Sequence, residues 1–330
     1  MSGIWPGLAP PRLSPLFLPG GLGGTLEERF GWRLLFVAYR VRPQAYSGKV
    51  GRRDRRSGTN NDTSGERVSM LFGKTILITG IASGIGARTA ELAGQLGADV
   101  IGVDRHEPTG HKGVFVQADI SSKAGVDDLV ARLPQRIDAL CNVAGLSGDT
   151  GAAPTLAVNF YGLRALSEAL APRIREGGAI VNVASIAGFG WRANLNRTAS
   201  MVSVEGFPDV VKVIADHAVK NEEGYPVSKE LLLLWTFRAA HQELFKSRDI
   251  RVNAVSPGPV ETPILKQFRT VLGDARVDSD ISRVGRAGTS SDIAPVVLFL
   301  CSDGARWING ANVPVDGGLE ASINAEVLGF

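Results

Sequence analysis

Residues 75–86 read Thr-Ile-Leu-Ile-Thr-Gly-Ile-Ala-Ser-Gly-Ile-Gly, and few folds accept such a run. Thr75 to Thr79 is short, apolar and rich in β-branched side chains, which suits a buried parallel strand. The stretch after it, Ala-Arg-Thr-Ala-Glu-Leu-Ala-Gly-Gln-Leu-Gly, favours helix. Strand, glycine-rich turn and helix in that order make a phosphate cradle: the glycines allow a tight turn, and the helix N-terminus faces an anion. Gly80, Ser83, Gly84, Ile85 and Gly86 are therefore candidate contacts to a pyrophosphate. The spacing is Gly-x-x-x-Gly-x-Gly, a variant of the commoner Gly-x-Gly-x-x-Gly. A second strand, Asp99 to Asp104, ends on a carboxylate 18 residues after Gly86. An anion at that point hydrogen-bonds the adenosine ribose hydroxyls of NAD and repels the extra phosphate of NADP, so NAD is expected; Arg105 next to it keeps NADP open as the alternative.

The rest of the chain alternates in the same way. Strands are expected at 75–80, 99–104, 114–118, 138–144, 179–184, 250–255 and 311–315. Helices are expected at 84–96, 122–133, 155–174, 226–245 and 291–302. Such alternation predicts an α/β fold, a Rossmann-type doubly wound parallel sheet with right-handed crossovers, in a single domain over 70–330. Tyr225 and Lys229 stand one turn apart on the helix that begins near 226, so their side chains share a face. A cation one turn from a phenol favours the phenolate, which suggests a tyrosine tuned to exchange protons near neutral pH.

Several separated segments resemble the short-chain dehydrogenase/reductase family, in the family's order, over roughly residues 70–320. Thr79 to Gly86 resembles its cofactor turn. Ala118-Asp119-Ile120 resembles the segment whose Asp lies near the adenine. Asn142-Val143-Ala144-Gly145 resembles its Asn-Asn-Ala-Gly motif, with Val143 replacing the second Asn. Asn159 resembles the helical Asn of the family's tetrad, and Ser185, after Ile-Val-Asn-Val-Ala, resembles its serine. Pro257-Gly258-Pro259-Val260-Glu261-Thr262 resembles the loop that holds the nicotinamide carboxamide.

The resemblance implies roles. Tyr225 exchanges the substrate proton, Ser185 hydrogen-bonds the substrate oxygen, Lys229 tunes Tyr225 and holds the nicotinamide ribose, and Asn159 anchors a water. Gly80, Asp104, Asp119, Ile120, Asn142, Ala144, Gly145, Pro257, Val260 and Thr262 complete the implied cofactor set. The implied activity is NAD-dependent interconversion of a hydrophobic alcohol and its carbonyl. Val100 to Arg105, Asp138 to Gly145 and Arg306 to Gly318 resemble family branches acting on coniferyl-type aromatic alcohols, with 3α-hydroxysteroids as the alternative substrate class. A non-catalytic dinucleotide-binding sensor or scaffold is the competing function, but such proteins usually lose the Tyr, Lys or Ser, all present here.

Thirty-nine residues separate Ser185 from Tyr225, longer than the family's usual spacing. The segment 190–222 is therefore read as an insertion, with an amphipathic helix near 208–219, that walls a substrate pocket or bears on subunit assembly; a homodimer is expected. Two cysteines, Cys141 and Cys301, fit apolar core positions and a reducing cytoplasm. His106 and His111 lack partners at zinc-ligand spacing, so no metal is expected. The longest apolar stretch, Ile293 to Cys301, is too short to span a bilayer, and no membrane association is expected.

Residues 1–69 differ in character. Up to Met70 they carry ten Arg and one Lys against five acids, or +6, which leaves −3 for the remainder of a chain of net +3. A transit peptide or a basic arm for an anionic surface are possible readings; a disordered leader ahead of Met70 is the expectation. Without aromatic interleaving, no nucleic-acid partner is expected.

Overall fold

The computed structural model describes residues 70–330; the basic extension over 1–69 lies outside the described residues. β1 (Thr75–Thr79) leads through the glycine turn into α1 (Gly84–Gln95), then β2 (Asp99–Asp104), β3 (Val114–Gln117), α2 (Lys123–Arg132) and β4 (Ile137–Asn142). Next come α3 (Ala152–Leu156), a π-helical turn (Ala157–Gly162), α4 (Leu163–Leu170) and the long β5 (Ile174–Val183). A 3₁₀ segment (Ile186–Arg192), α5 (Leu195–Ser203) and α6 (Val210–Asp216) fill the insertion before α7 (Gly224–Ala239). The chain closes with α8 (Glu243–Lys246), β6 (Arg251–Pro257), α9 (Pro263–Leu272), α10 (Asp274–Val284), α11 (Ser290–Cys301), β7 (Asn312–Val315) and α12 (Leu319–Leu328).

The seven strands form one sheet in the order β3-β2-β1-β4-β5-β6-β7, and every pair is parallel. This is the doubly wound sheet expected from the alternation. Side chains along each strand point to opposite faces, and the core divides accordingly. Leu77 and Leu140 join one apolar cluster with α4 and α7, while Ile76, Ile78, Ala139 and Cys141 join the other with α1 and α11. The strand order reverses between β1 and β4, so a crevice opens at their carboxyl ends, the place where such sheets bind ligands.

Three expected elements differ in detail. The helix expected over 155–174 is interrupted by the π turn and stops at Leu170, because Pro172 sits in a 3₁₀ turn and Ile174 already belongs to β5. The helix expected to reach 245 ends at Ala239, and α8 is separate. The insertion helix is shorter than 208–219 because the Asp209 carboxylate caps its start, accepting from the Lys212 N–H at 3.1 Å.

The insertion is built into the core. Met201, Val202, Val210 and Val213 are buried with α4 and α7. Arg164 of α4, also buried, lays its guanidinium over Phe160 and Tyr161 and donates to the carbonyls of Val202 and Gly206. Cys141 and Cys301 face each other as buried thiols 3.3 Å apart, and burial together with this contact pushes the Cys141 pKa up. Among the described residues no helix is long and apolar enough to cross a membrane.

Candidate active site

The glycine turn is shaped by close approach. Gly80 has φ +76°, and a Cβ there would lie 2.8 Å from the backbone of Ala144 at the end of β4. Gly86, in the first turn of α1, lies so near β1 that a Cβ would fall 2.0 Å from the Gly80 carbonyl oxygen. Gly84, at φ +57°, faces the Thr262 methyl, to which a Cβ would approach within 3.1 Å. Ser83 is the N-cap of α1, makes no side-chain cap bond, and the first turn carries no acid. Half-buried Ile85 packs into the α1-side core. The cradle thus has glycine walls, free N–H groups at one helix end, and the β6–α9 loop as its far side.

Thr79, expected only as the end of β1 and the start of the cofactor turn, ties this cradle together. Thr79 Oγ1 accepts from the N–H groups of Val143 and Ala144, both at 3.0 Å. That bond explains why Val143 serves in place of the family's second Asn: its backbone bonds, and its side chain packs into the core.

The expected cofactor residues divide into two groups. Asp104 ends β2 beside the turn, one carboxylate oxygen accepting from Ala82 N–H and the other from His106 N–H, both at 2.9 Å. Asp119 closes a local turn on Ser121 N–H at 2.8 Å, and buried Ile120 presents its carbonyl oxygen 2.2 Å from where a Gly162 Cβ would stand. Val260 bridges to Gly288, and Thr262 Oγ1 donates to the Val260 carbonyl at 3.2 Å, which folds the loop after Pro257 back over the turn. Asn142 departs from expectation. Its fully buried side chain donates to Ser167 Oγ and Asn182 Oδ1, both at 2.8 Å, so it joins β4 to β5 and α4.

The residues expected to carry proton transfer come from three elements. Ser185 follows β5 and caps the 3₁₀ segment, its Oγ accepting from Ala187 N–H at 3.1 Å. Tyr225 lies in the first turn of α7, beside Ser185, with Phe268 of α9 edge-on to its ring at 4.5 Å between centroids. Lys229 is buried one turn later; its Nζ donates to the Val183 carbonyl at 2.9 Å and stands 5.6 Å from the Tyr225 ring centroid. Asn159, in the π turn, accepts from Leu146 N–H at 2.7 Å and donates to Leu146 O at 2.9 Å and to Ser228 Oγ at 3.1 Å. A Cβ on Gly145 would touch both Asn159 Oδ1 and Lys229 Nζ, at 3.4 and 3.8 Å. Ser185, Tyr225, Lys229, Asn159 and Gly145 therefore meet at the carboxyl ends of β4 and β5.

Electrostatics at this point run against the sequence expectation. Burial pushes the Tyr225 phenol up to about 12, with the Ser185 hydroxyl pulling weakly the other way. Burial also pushes the Lys229 ammonium down to about 8. Each group loses water on burial, and Lys229 spends its hydrogen bond on a backbone carbonyl.

Beside the site, Glu230 is buried on α7, accepts from Asn194 Nδ2 at 2.8 Å, and is pushed by burial up to about 7. Neither Glu230 nor Phe268 carried a signal in the sequence. Both act through contacts with segments that no short motif brings together.

The chain is similar to several known oxidoreductases. A family model described as enoyl-(acyl carrier protein) reductase matches residues 80–320. Coniferyl-alcohol dehydrogenase from Pseudomonas sp. (strain HR199 / DSM 7063) is 42% identical over 252 residues, 76% of this chain and 98% of that protein. The 3-alpha-hydroxysteroid dehydrogenase/carbonyl reductase of Comamonas testosteroni is 29% identical over 261 residues, 74% of this chain and 96% of that one. Among solved structures, the 3-alpha-hydroxysteroid dehydrogenase from Pseudomonas sp. B-0831 complexed with NADH superposes with a TM-score of 0.63 at 31% identity, covering 76% of this chain and 99% of that chain.

Proposed function

This chain belongs to the short-chain dehydrogenase/reductase family of nicotinamide-dependent oxidoreductases, and we propose that it interconverts a hydrophobic alcohol and its carbonyl by Tyr225-assisted hydride transfer, using NAD. The observation that carries the reading is the meeting of Ser185, Tyr225, Lys229 and Asn159 beside a glycine cradle that a single Cβ would fill. Gly80, Ser83, Gly84, Ile85 and Gly86 hold the pyrophosphate, Asp104 the ribose hydroxyls, and Val260 and Thr262 the carboxamide. Asp119 and Ile120 border the adenine end, while Ala144 and Gly145 give the dinucleotide close backbone approach. When bound, the nicotinamide takes up or delivers the hydride.

The residues supply the rest. Ser185 donates a hydrogen bond to the substrate oxygen and fixes it against Tyr225. In carbonyl reduction the Tyr225 hydroxyl gives its proton to that oxygen; in alcohol oxidation its phenolate takes the proton. Lys229 stabilises the phenolate through space, and Asn159 fixes the backbone at Leu146 and orients α7 through Ser228. Asp104 supports NAD over NADP, since a carboxylate at the ribose repels a second phosphate. For the substrate, similarity to a coniferyl-alcohol dehydrogenase favours an aromatic alcohol of that type.

The test follows nicotinamide absorbance with NAD and a panel of aromatic and steroid alcohols, for the full chain and for Tyr225→Phe. Turnover of an aromatic alcohol, lost by at least about a hundredfold in Tyr225→Phe, is the expected result. No turnover across the panel sinks the enzyme reading; equal rates for the two proteins sink the role of Tyr225.

A further inference from the structure

α5 is bonded to α7 on the side of that helix away from Tyr225 and Lys229. Arg197 of α5 lays both terminal nitrogens against the Glu223 carboxylate: Nη1 donates to Oε1 at 3.3 Å and to Oε2 at 3.4 Å, and Nη2 donates to Oε1 at 3.4 Å. At the N-cap of α5, Asn194 donates to Glu230 Oε1 at 2.8 Å. Glu223 is the N-cap of α7 and already has helical dihedrals, so it continues the helical path. Two turns separate it from Glu230, which puts both carboxylates on one side of the helix. Tyr225 and Lys229 project from the other side, toward Ser185 and the Val183 carbonyl. Arg197 acts on both carboxylates. Burial raises the Glu230 pKa, the Asn194 hydrogen bond and the Arg197 charge pull it down, and Glu223 pushes it up. The start of α7 is also closely seated on the loop between β4 and α3. A Cβ on Gly224 would lie 2.6 Å from Ala152 Cα, and one on Gly148 would lie 3.1 Å from Tyr225 Cβ. Asn221 Oδ1 accepts from Ala152 N–H at 3.2 Å.

We infer that Arg197 is a positioning residue for Tyr225: its bond to Glu223 fixes the first turn of α7 in that seat, so the insertion serves the reaction by holding the helix that carries Tyr225 and Lys229. The inference rests on the role given to Tyr225 above. Magnitudes separate placement from stability. The Arg197 and Glu223 side chains are 27% and 34% exposed, and ion pairs so open to solvent add little to stability. Placement weighs more, since shifting a reacting group by about 1 Å costs up to about a hundredfold in rate. A shift at Glu223 reaches Tyr225 through a single residue, Gly224, and the close contact of Gly224 with Ala152 leaves little room to absorb it. The choice of arginine fits the task. A guanidinium spans both carboxylate oxygens and fixes their direction, whereas an ammonium meets them as a point charge.

The experiment measures kcat and KM with NAD for the fastest alcohol of the panel above, together with melting temperature and amide hydrogen exchange over 221–233. It compares the full chain with Arg197→Met, Arg197→Lys, Glu223→Ala and the double variant Arg197→Met/Glu223→Ala. Lys212→Met is the control, because it removes an ion pair of the same insertion, with Asp216 at 2.8 Å, that lies within α6. Arg197→Met and Glu223→Ala should each lower kcat about tenfold with KM within about twofold, and melt within about 4 °C of the unaltered chain. The double variant should lose no more than Glu223→Ala alone, Arg197→Lys should retain most of kcat, and Lys212→Met should leave kcat as it was. An unchanged kcat in Arg197→Met overturns the inference, as do losses that add in the double variant or a loss carried by KM alone. Should Glu223→Ala fail to fold, Arg197→Met set against Arg197→Lys and Lys212→Met still decides. If the unaltered chain turns over no alcohol, or Tyr225→Phe reacts as fast, the reading above falls and exchange alone judges the hold on α7. Faster exchange over 221–233 in Arg197→Met than in Lys212→Met keeps that hold, and equal exchange overturns it.

Discussion

At the scale of single residues, the Tyr225–Lys229 spacing could be read from the sequence but its electrostatics could not. The spacing predicts a phenol softened by a cation, whereas burial leaves the phenol at about 12 and the ammonium at about 8. Desolvation depends on neighbours distant in sequence, and no local motif encodes it. The consequence is a directional pH profile, since kcat/KM reports the free enzyme. On the proposed mechanism carbonyl reduction needs a protonated Tyr225 and a charged Lys229, so its kcat/KM should stay level up to about pH 8 and fall above. Alcohol oxidation needs the phenolate. Its kcat/KM should climb about tenfold per pH unit until Lys229 discharges near 8 and then flatten. Rates in both directions from pH 6 to 10 check this; a falling oxidation rate across pH 6 to 8 would refute it. Glu230 gives a second residue-scale prediction. Its folded pKa of about 7 lies above the ordinary carboxyl value, so the folded state holds the proton more tightly than the unfolded state does. The associated stability is fully present below the unfolded value and is lost as pH rises through about 7. Glu230→Gln keeps a group that accepts from Asn194 but carries no charge, so it should melt higher than the unaltered chain at pH 8, with the gap closing toward pH 5. Thermal melts at the two values decide.

At the scale of elements, every strand expected from β-branched runs is present, because a strand buried on both faces writes itself as a continuous apolar run. The helices bearing on the site were less legible. Asn159 was found through its resemblance to a tetrad residue, yet the π turn that carries it looked like uninterrupted helix. A π turn adds one residue to a helix without changing its apolar pattern, so hydrophobic periodicity passes over it. Its function here is clear from the bonds: Asn159 satisfies both backbone groups of Leu146 and reaches Ser228 on α7. Asn159→Leu should therefore destabilise the chain by about 1–3 kcal/mol, the cost of leaving buried polar groups unpaired. It should also lower kcat more than it raises KM, because what it loosens is the placement of Tyr225 and Lys229. Denaturant melts with steady-state kinetics test both halves; an unchanged kcat would restrict Asn159 to stability. The insertion shows the opposite case. Its apolar residues were visible as packing material, but only the fold shows that Arg164 and Glu230, on helices outside it, hold it in place.

At the scale of the whole molecule, the question is which part of the chain the fold requires. Among the described residues both apolar clusters draw on the span from Leu71 onward, and the sheet begins at Thr75. The lead-in to β1 is itself fastened. Leu71 is 2% exposed, Gly73 N–H donates to Gly97 O at 3.0 Å, and Lys74 Nζ pairs with Asp303 at 2.9 Å across the end of α11. Met70 reaches Ser302, whose hydroxyl lies 3.8 Å from its sulfur. The first seventy residues carry +6 and the remainder of the chain −3. A chain starting at Met70 keeps all of these contacts, and it should melt at the same temperature as the full chain and keep its kcat/KM. A chain starting at Thr75 loses the buried Leu71, worth about 1.5–3 kcal/mol, and should melt several degrees lower. Melting temperatures and rates of the three proteins side by side separate the alternatives. A Met70 start that melts lower would mean that the basic extension contributes to the fold, and a Thr75 start that melts unchanged would remove Leu71 from the list of core residues that matter.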